Sequence, residues 1–337
     1  MTADARRSPT LHDVAREAGV SLATASRVLN GSERKVAESY RERVEKAADD
    51  LGYTANASAQ ATARGTSAVI ALLVADIADP YFGLIASGVA RGADEEGLIV
   101  TIAITERDPG REAKILRALR GQRPQGVILA ASRTGDSDSG SIGELAAFGD
   151  LGGRTVTFGE GGDRSIRIDN RGGAERLGRE MARLGYRRAI AIAADEGVRT
   201  SDDRLAGFIT GFAAGGGEIE RIYRGTFERE SGTASMSQAL ADGVDAGTVV
   251  FTLSDVVAIG AMKAIREAGR AVGADIAVTG FDDVPVSRDV TPQLTTVRVP
   301  LSDLGYQAFR ATVDAEWGQP QMELEVLVRD STPWVGS

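Results

Sequence analysis

Two sets of side chains in this sequence can do recognition chemistry. The first is Leu22, Ala23, Thr24, Ser26 and Arg27, close behind Ser21 and followed by Asn30. Arg27 can pair bidentately with guanine or clamp a phosphate, whereas Leu22 and Ala23 lack donors and can only meet a thymine methyl group or exclude bulk. The hydroxyls of Thr10, Ser21, Thr24 and Ser26 and the amide of Asn30 can bind phosphate oxygens, or simply cap helices and meet solvent. The second set is Arg204, Asp255 and Asp282. Arg204 offers planar, bidentate donors to hydroxyls or carboxylates. Asp282 follows the apolar run DIAVTGF and Asp255 lies just beyond TVVFTL. Both carboxylates therefore fall at strand ends, where an aspartate either contacts a ligand or caps the next helix. Tyr81 and Phe82, in ADIADPYF, and Ser132, after GVILAA, end two further apolar runs.

Other chemistry is removed by what the chain lacks. There is no cysteine, hence no disulfide, thiol nucleophile or thiolate metal site. The single histidine, His12, lies near the N-terminus, so neither a Ser-His-Asp triad nor a His-based metal site can form in the rest. No glycine-rich phosphate loop follows a strand. The longest apolar run, Ala68 to Ala75, stops at Asp76 and is too short to span a bilayer, and MTADARRSPT carries no apolar secretory core. The net charge of −9 argues at first against a nucleic-acid partner. It is unevenly spread: residues 1–64 hold ten basic against nine acidic residues, the remainder 29 against 39. The acids of the first part collect at Glu38, Glu42, Glu45, Asp49 and Asp50, away from Arg6, Arg7, Arg16 and Arg27. Phosphate neutralisation would have to be local.

Two short helices around a corner would position the first set. Leu11, Val14, Ala15 and Ala18 recur at helical spacing, Gly19 allows a turn with φ > 0, and Val20 plugs the corner. Ser21 then caps a second helix, Leu22 to Leu29, and Ala15, Ala25 and Val28 let the two cross closely. An ordinary helical hairpin fits the same pattern. A third helix is expected from about Ala37 to Leu51, stopped by Gly52 and followed by an alanine-rich linker. From Ser67 the pattern alternates. Apolar strands are expected at 68–74, 98–104, 126–131, 155–158, 189–194, 248–253, 275–281, 295–299 and 325–328. Helices are expected at 83–96, 111–120, 173–184, 203–214, 255–268 and 301–316, with Arg199 to Asp203 a loop before Arg204. Near-continuous apolar strands between amphipathic helices predict parallel sheets covered on both faces, and their number suits two sheets better than one.

Seven segments carry a resemblance: VAREAGVSLATASRVLNG, VEKAADDLGYTANASA, SDDRLAGF, SDVVAIGAMKAIREAG, DIAVTGFDDVP, TPQLTTVRVP and LVRDST. In this order and spacing they resemble the lactose-repressor family of bacterial transcription regulators over nearly the whole chain. The resemblance implies an α/β fold with an N-terminal helix-turn-helix head and a two-lobed, periplasmic-binding-protein-like core of parallel sheets covered by helices. It implies a head at 1–64 with a linker at 56–65, and a core at 66–337. Lobe 1 would be about 66–163 plus 297–325, and lobe 2 about 164–296 plus 326–337. DNA contacts would come from Thr10, Leu11, Ser21, Leu22, Ala23, Thr24, Ser26, Arg27, Asn30, Asn56, Ala59 and Thr62. A small-molecule effector, a sugar or sugar derivative, would lie between the lobes against Asp79, Tyr81, Phe82, Ser132, Arg204, Asp255, Phe281 and Asp282, with Tyr81 or Phe82 stacking on a sugar ring. The implied protein is a cytoplasmic homodimeric repressor on a double-stranded operator, with no metal and no cofactor. One departure matters: where the family inserts a linker leucine into the minor groove, this chain has Thr62, a poor wedge. Two rivals are a solute-binding protein of the same core fold and a sugar-processing enzyme. The first lacks a signal segment and has no use for the head; the second lacks a visible acid/base pair.

Overall fold

The computed structural model describes residues 9–29, 36–54, 66–130, 139–159 and 162–335. The chain divides into two compact units, Met1–Ala68 and Val69–Ser337.

The first unit contains α1 (Leu11–Ala18), α2 (Leu22–Leu29) and α3 (Glu38–Leu51). Thr10 and Asp13 close a reciprocal capping box at the start of α1: the Asp13 carboxylate accepts from the Thr10 N–H at 3.0 Å, and the Thr10 hydroxyl accepts from the Asp13 N–H at 3.4 Å. Gly19, at φ 62°, ends α1 in the left-handed region. The Ser21 hydroxyl accepts from the Thr24 N–H at 3.1 Å and starts α2. Val14, Ala15, Ala18, Ala25, Val44, Ala47 and Ala48 form the buried centre, with Val20 and Val28 packed on it. Small residues at the crossing allow close approach, and Arg43 of α3 donates to the Ala18 and Gly19 carbonyls, securing the corner.

The second unit runs β1 (Val69–Val74), α4 (Pro80–Glu95), β2 (Ile99–Ile104), α5 (Pro109–Gln122), β3 (Gly126–Leu129), α6 (Ser139–Gly149), β4 (Arg154–Phe158) and β5 (Arg164–Ile166). It continues with α7 (Asn170–Arg183), β6 (Arg188–Ala194), α8 (Arg199–Ala214), β7 (Glu218–Gly225), α9 (Arg229–Ala241), β8 (Thr248–Thr252), α10 (Asp255–Glu267) and β9 (Ile276–Thr279). Last come α11 (Val286–Asp289), β10 (Thr296–Arg298), α12 (Leu301–Val313) and β11 (Glu325–Leu327). Two parallel sheets result, ordered β2-β1-β3-β4-β5 and β7-β6-β8-β9, while β10 and β11 pair antiparallel. The chain leaves the first sheet after β5, returns through β10 into α12, which packs on α4, and comes back through β11 to the second sheet. There the Ser331 carbonyl accepts from the Val278 N–H at 3.1 Å.

Helices on each sheet touch backbone to backbone. A Cβ on Gly88 of α4 would lie 1.8 Å from the Ser302 carbonyl oxygen, and one on Gly305 of α12 would lie 2.1 Å from that of Ile85. Gly178 and Gly211 play the same part between α7 and α8. Several elements differ from the sequence expectation. β7, EIERIYRG, is an edge strand whose charged, alternating pattern hides it among surface segments. The glycine- and serine-rich α6 and α9 lack a strong apolar stripe. The stretch from Arg199 to Asp203, expected as a loop, is the first turn of α8, so Arg204 lies inside the helix.

Candidate functional site

On the first unit, α2 turns Ala25 into the core and leaves Ser21, Leu22, Ala23 and Arg27 exposed, Leu22 at 39%. Thr24 and Ser26 are half-buried on its flanks. This is the helix, and the N-terminal end of it, that a helix-turn-helix offers to the major groove. Thr10 has its hydroxyl and amide in the capping box, and Leu11 packs against the core of the unit. Asn30, Asn56, Ala59, Thr62 and Ser132 lie outside the described residues, as do Arg6 and Arg7.

The second cluster is built around Arg204, which is 1% exposed. Its Nε donates to Asn170 Oδ1 at 2.8 Å, Nη1 to the Leu253 carbonyl at 2.7 Å and Nη2 to Asp282 Oδ1 at 2.8 Å. The guanidinium carbon lies 3.9 Å from the centre of the Phe281 ring, so the plane is fixed from below as well as along its edges. Four chain segments meet here: the start of α7 brings Asn170, α8 brings Arg204, the end of β8 brings Leu253, and the turn after β9 brings Phe281 and Asp282. Asp282 has φ 114° and Asp283 φ 53°, a sharp turn held by the Asp282 N–H to Val297 carbonyl bond of 2.8 Å. Burial pushes the Asp282 carboxyl up to about 7, although the Arg204 cation pulls it down; Asp79 adds to the rise.

Asp255 is not the cap of α10; Ser254 is. The Asp255 carboxylate instead accepts from the Val284 N–H at 2.9 Å and the Thr296 hydroxyl at 2.5 Å. Burial, then the neighbouring Asp282 charge, push it well above the usual carboxylate range. Its bonds brace the turn that carries Asp282. Asp283 faces away into a cluster of Arg329, Arg288 and Arg298 at 2.5, 2.9 and 3.1 Å. Burial raises its pKa, but those three hydrogen bonds outweigh burial and hold it below normal.

From the first sheet, Asp79 caps α4 by accepting from the Tyr81 N–H at 2.9 Å. Burial raises the Asp79 carboxyl, opposed by that bond and by Arg107. Burial and then the Asp282 charge raise the Tyr81 phenol, so the α4 start lies in the field of the Arg204–Asp282 pair. Phe82 points into the core, 3% exposed and edge-on to Tyr81 at 5.0 Å. Four residues at this site were not singled out from the sequence. Asn170 and Leu253 hold Arg204; Arg107, after β2, and Phe227, after β7, face each other with the guanidinium carbon 4.8 Å from the ring centre. The signal of Leu253, Arg107 and Phe227 was position alone, just beyond a strand, and that of Asn170 its place at a helix start. Among the described residues, no group of three metal-binding side chains occurs, and no helix is long and apolar enough to cross a membrane.

Residues 10–56 match the description "Bacterial regulatory proteins, lacI family", and residues 179–332 match "Periplasmic binding protein-like domain". The chain is 32% identical to the HTH-type transcriptional regulator CelR of Thermobifida fusca, covering 97% of this chain and 99% of that one. It is also 32% identical to the regulator GalR of Escherichia coli (strain K12), over 94% of this chain and 91% of that one. Among solved structures, the lac repressor dimer bound to operator and the anti-inducer ONPF matches with a TM-score of 0.84, 26% identity, and coverage of 97% and 100%. A CelR–cellobiose complex matches with a TM-score of 0.67, 30% identity, and coverage of 96% and 99%. The three-helix head with an exposed second helix and the core of two parallel sheets agree with these matches along almost the whole chain: the chain belongs to the lacI family of bacterial regulatory proteins and is a helix-turn-helix transcription regulator.

Proposed function

We propose that the protein is a repressor whose operator affinity changes when a sugar or sugar derivative binds between the two lobes of its core. The observation that carries the reading is the Arg204–Asp282 pair, buried, stacked on Phe281 and set at the carboxyl ends of the strands, where ligands bind in α/β folds. A carboxylate poised near neutrality accepts hydrogen bonds from ligand hydroxyls, and the Arg204 N–H groups not used by Asn170, Leu253 and Asp282 donate to them. Tyr81 supplies an aromatic face from the first sheet, and Phe281 acts beneath the guanidinium. Asp255 positions the Asp282 turn. A ligand held by Asp79 and Tyr81 on one side and Arg204 and Asp282 on the other favours one arrangement of the lobes, which is how its binding energy becomes a change of state.

The sugar assignment draws on the CelR–cellobiose complex, and the operator and the two-chain assembly on the lac repressor dimer. In this reading the head is 1–64, with Ser21, Leu22, Ala23, Thr24, Ser26 and Arg27 toward DNA, and the core is 66–337 with its lobes exchanging chain near 163, 297 and 325. The protein works by binding rather than catalysis, without metal or cofactor, in the compartment that holds the DNA. A solute carrier has no use for an exposed α2. The test is retardation of the protein's own promoter DNA across a salt series, with a panel of neutral mono- and disaccharides including cellobiose. Affinity should fall steeply with salt, and one panel member should shift it. Salt-independent or absent retardation would refute the regulator reading, and retardation indifferent to every sugar would refute the effector class.

A further inference from the structure

We infer that Arg107 and Phe227 are positioning residues that latch the two lobes together over the effector cleft. Arg107 belongs to the first lobe by its backbone. It sits in the turn between β2 and α5, where Glu106 and Arg107 have φ 54° and 56°, two adjacent side-chain-bearing residues in the left-handed region. Such geometry persists only where surrounding bonds enforce it. Here the Glu106 N–H donates to the Ala75 carbonyl at 3.0 Å and the Asp108 N–H to that of Thr105 at 3.0 Å. Arg111 fastens the same turn through the Ile104 carbonyl at 2.9 Å and Glu106 at 3.1 Å. Phe227 belongs to the second lobe: it follows β7 and packs against the hydrophobic cluster that includes Ile192, Met236 and Leu253.

Both loops leave the carboxyl ends of their sheets, the ends that carry Asp79 and Asp282. Across the gap the Arg107 guanidinium carbon lies 4.8 Å from the Phe227 ring centre, over its face. The charges around Arg107 come from both lobes, Asp76 and Asp79 from the first and Glu228 from the second. The cation thus has partners on each side, and it meets them together only while the lobes are closed. The latch governs how often the cleft opens, and so how fast an effector enters and leaves.

The chain has no cysteine, so labels can be placed without altering native thiols. Lys114, on α5, and Glu230, on α9, are exposed and lie on the two lobes. Lys114→Cys/Glu230→Cys protein is spin-labelled, diluted with unlabelled protein so that each assembly holds at most one labelled chain, and measured by double electron–electron resonance without any added ligand. Arg107→Met and Phe227→Leu should each shift the distribution to longer distances, raising the open population about two- to five-fold, as loss of one partly exposed cation–π contact does. The double variant should open the cleft no further than either single one, because both remove the same contact. Unchanged distributions in both single variants, or effects that simply add, would overturn the latch. Sugar binding plays no part in this readout, so its failure is separate from any failure of the effector assignment.

Discussion

Replacing Arg204 by methionine keeps much of the side-chain volume and removes the charge. The Leu253 carbonyl, deep in the protein, loses its donor, which costs about 1–3 kcal/mol. Asp282 loses its only cationic hydrogen-bond partner among the described residues. Breaking a buried pair costs about 3–5 kcal/mol when the remaining charge stays unpaired. Asp282, already held at about 7, instead takes up a proton at neutral pH, so we expect a total of about 3 kcal/mol. The sign of the pH dependence follows from the same value. In the parent the folded carboxyl titrates at about 7, above the ordinary aspartate value of 3.8 that holds in the unfolded chain. Its protonation therefore favours the folded state fully at low pH, and that contribution is lost as pH rises toward 7 and constant beyond. Without Arg204 the folded value moves higher still, and the loss continues above pH 7 at roughly 1 kcal/mol per unit. The penalty of Arg204→Met should then be smallest near pH 6 and about 2 kcal/mol larger at pH 9. Urea unfolding followed by tryptophan fluorescence is the assay, since Trp317 and Trp334 both report on the core unit. Equal penalties at pH 6 and pH 9 would refute the idea that Arg204 compensates a buried Asp282 charge.

Thr10→Ala removes the capping box of α1 and should cost the head about 1 kcal/mol, read as a lower melting temperature of its helical signal. Gly211→Ala puts a Cβ 1.9 Å from the Glu175 carbonyl oxygen, forcing α7 and α8 apart; a loss of about 1–3 kcal/mol in urea unfolding is expected. Thr62→Leu should increase operator bending in circular-permutation gel shifts, because leucine fills an opened base step that threonine cannot; a strong bend already present in the parent would sink this. Light scattering at micromolar concentration should give two chains.

The parts of this fold that the sequence displayed are those where one physical signal dominated. The apolar strands β1, β3, β6, β8 and β9 are buried along their lengths, and their composition shows it. The capping residue Ser21 and the left-handed Gly19 announced the helix-turn-helix at single-residue resolution, whereas the capping role of Thr10 was one of two readings its hydroxyl allowed. β7 escaped because an edge strand with one solvated face can be largely charged. Arg204 was visible as a donor near a helix start and Asp282 as a carboxylate at a strand end, but their partnership spans 78 positions in sequence and no local pattern encodes it. Asn170 looked like any helix-start asparagine. Arg107 and Phe227 were invisible for a further reason: each is ordinary in its own loop, and only the facing of two lobes brings them within reach.

The route of the chain through the core also sets an order of events during synthesis. The first sheet is complete after β5, yet α12, which covers α4 through Gly88 and Gly305, is made only after the whole second sheet. Until residue 313 has left the ribosome, the apolar surface of α4 and the sheet beneath it has no permanent cover. The head, by contrast, is contiguous and has its three helices by residue 51. A nascent chain therefore possesses its DNA-reading surface well before it possesses the machinery that regulates it, and stalled or truncated chains would be DNA-binding fragments deaf to any effector.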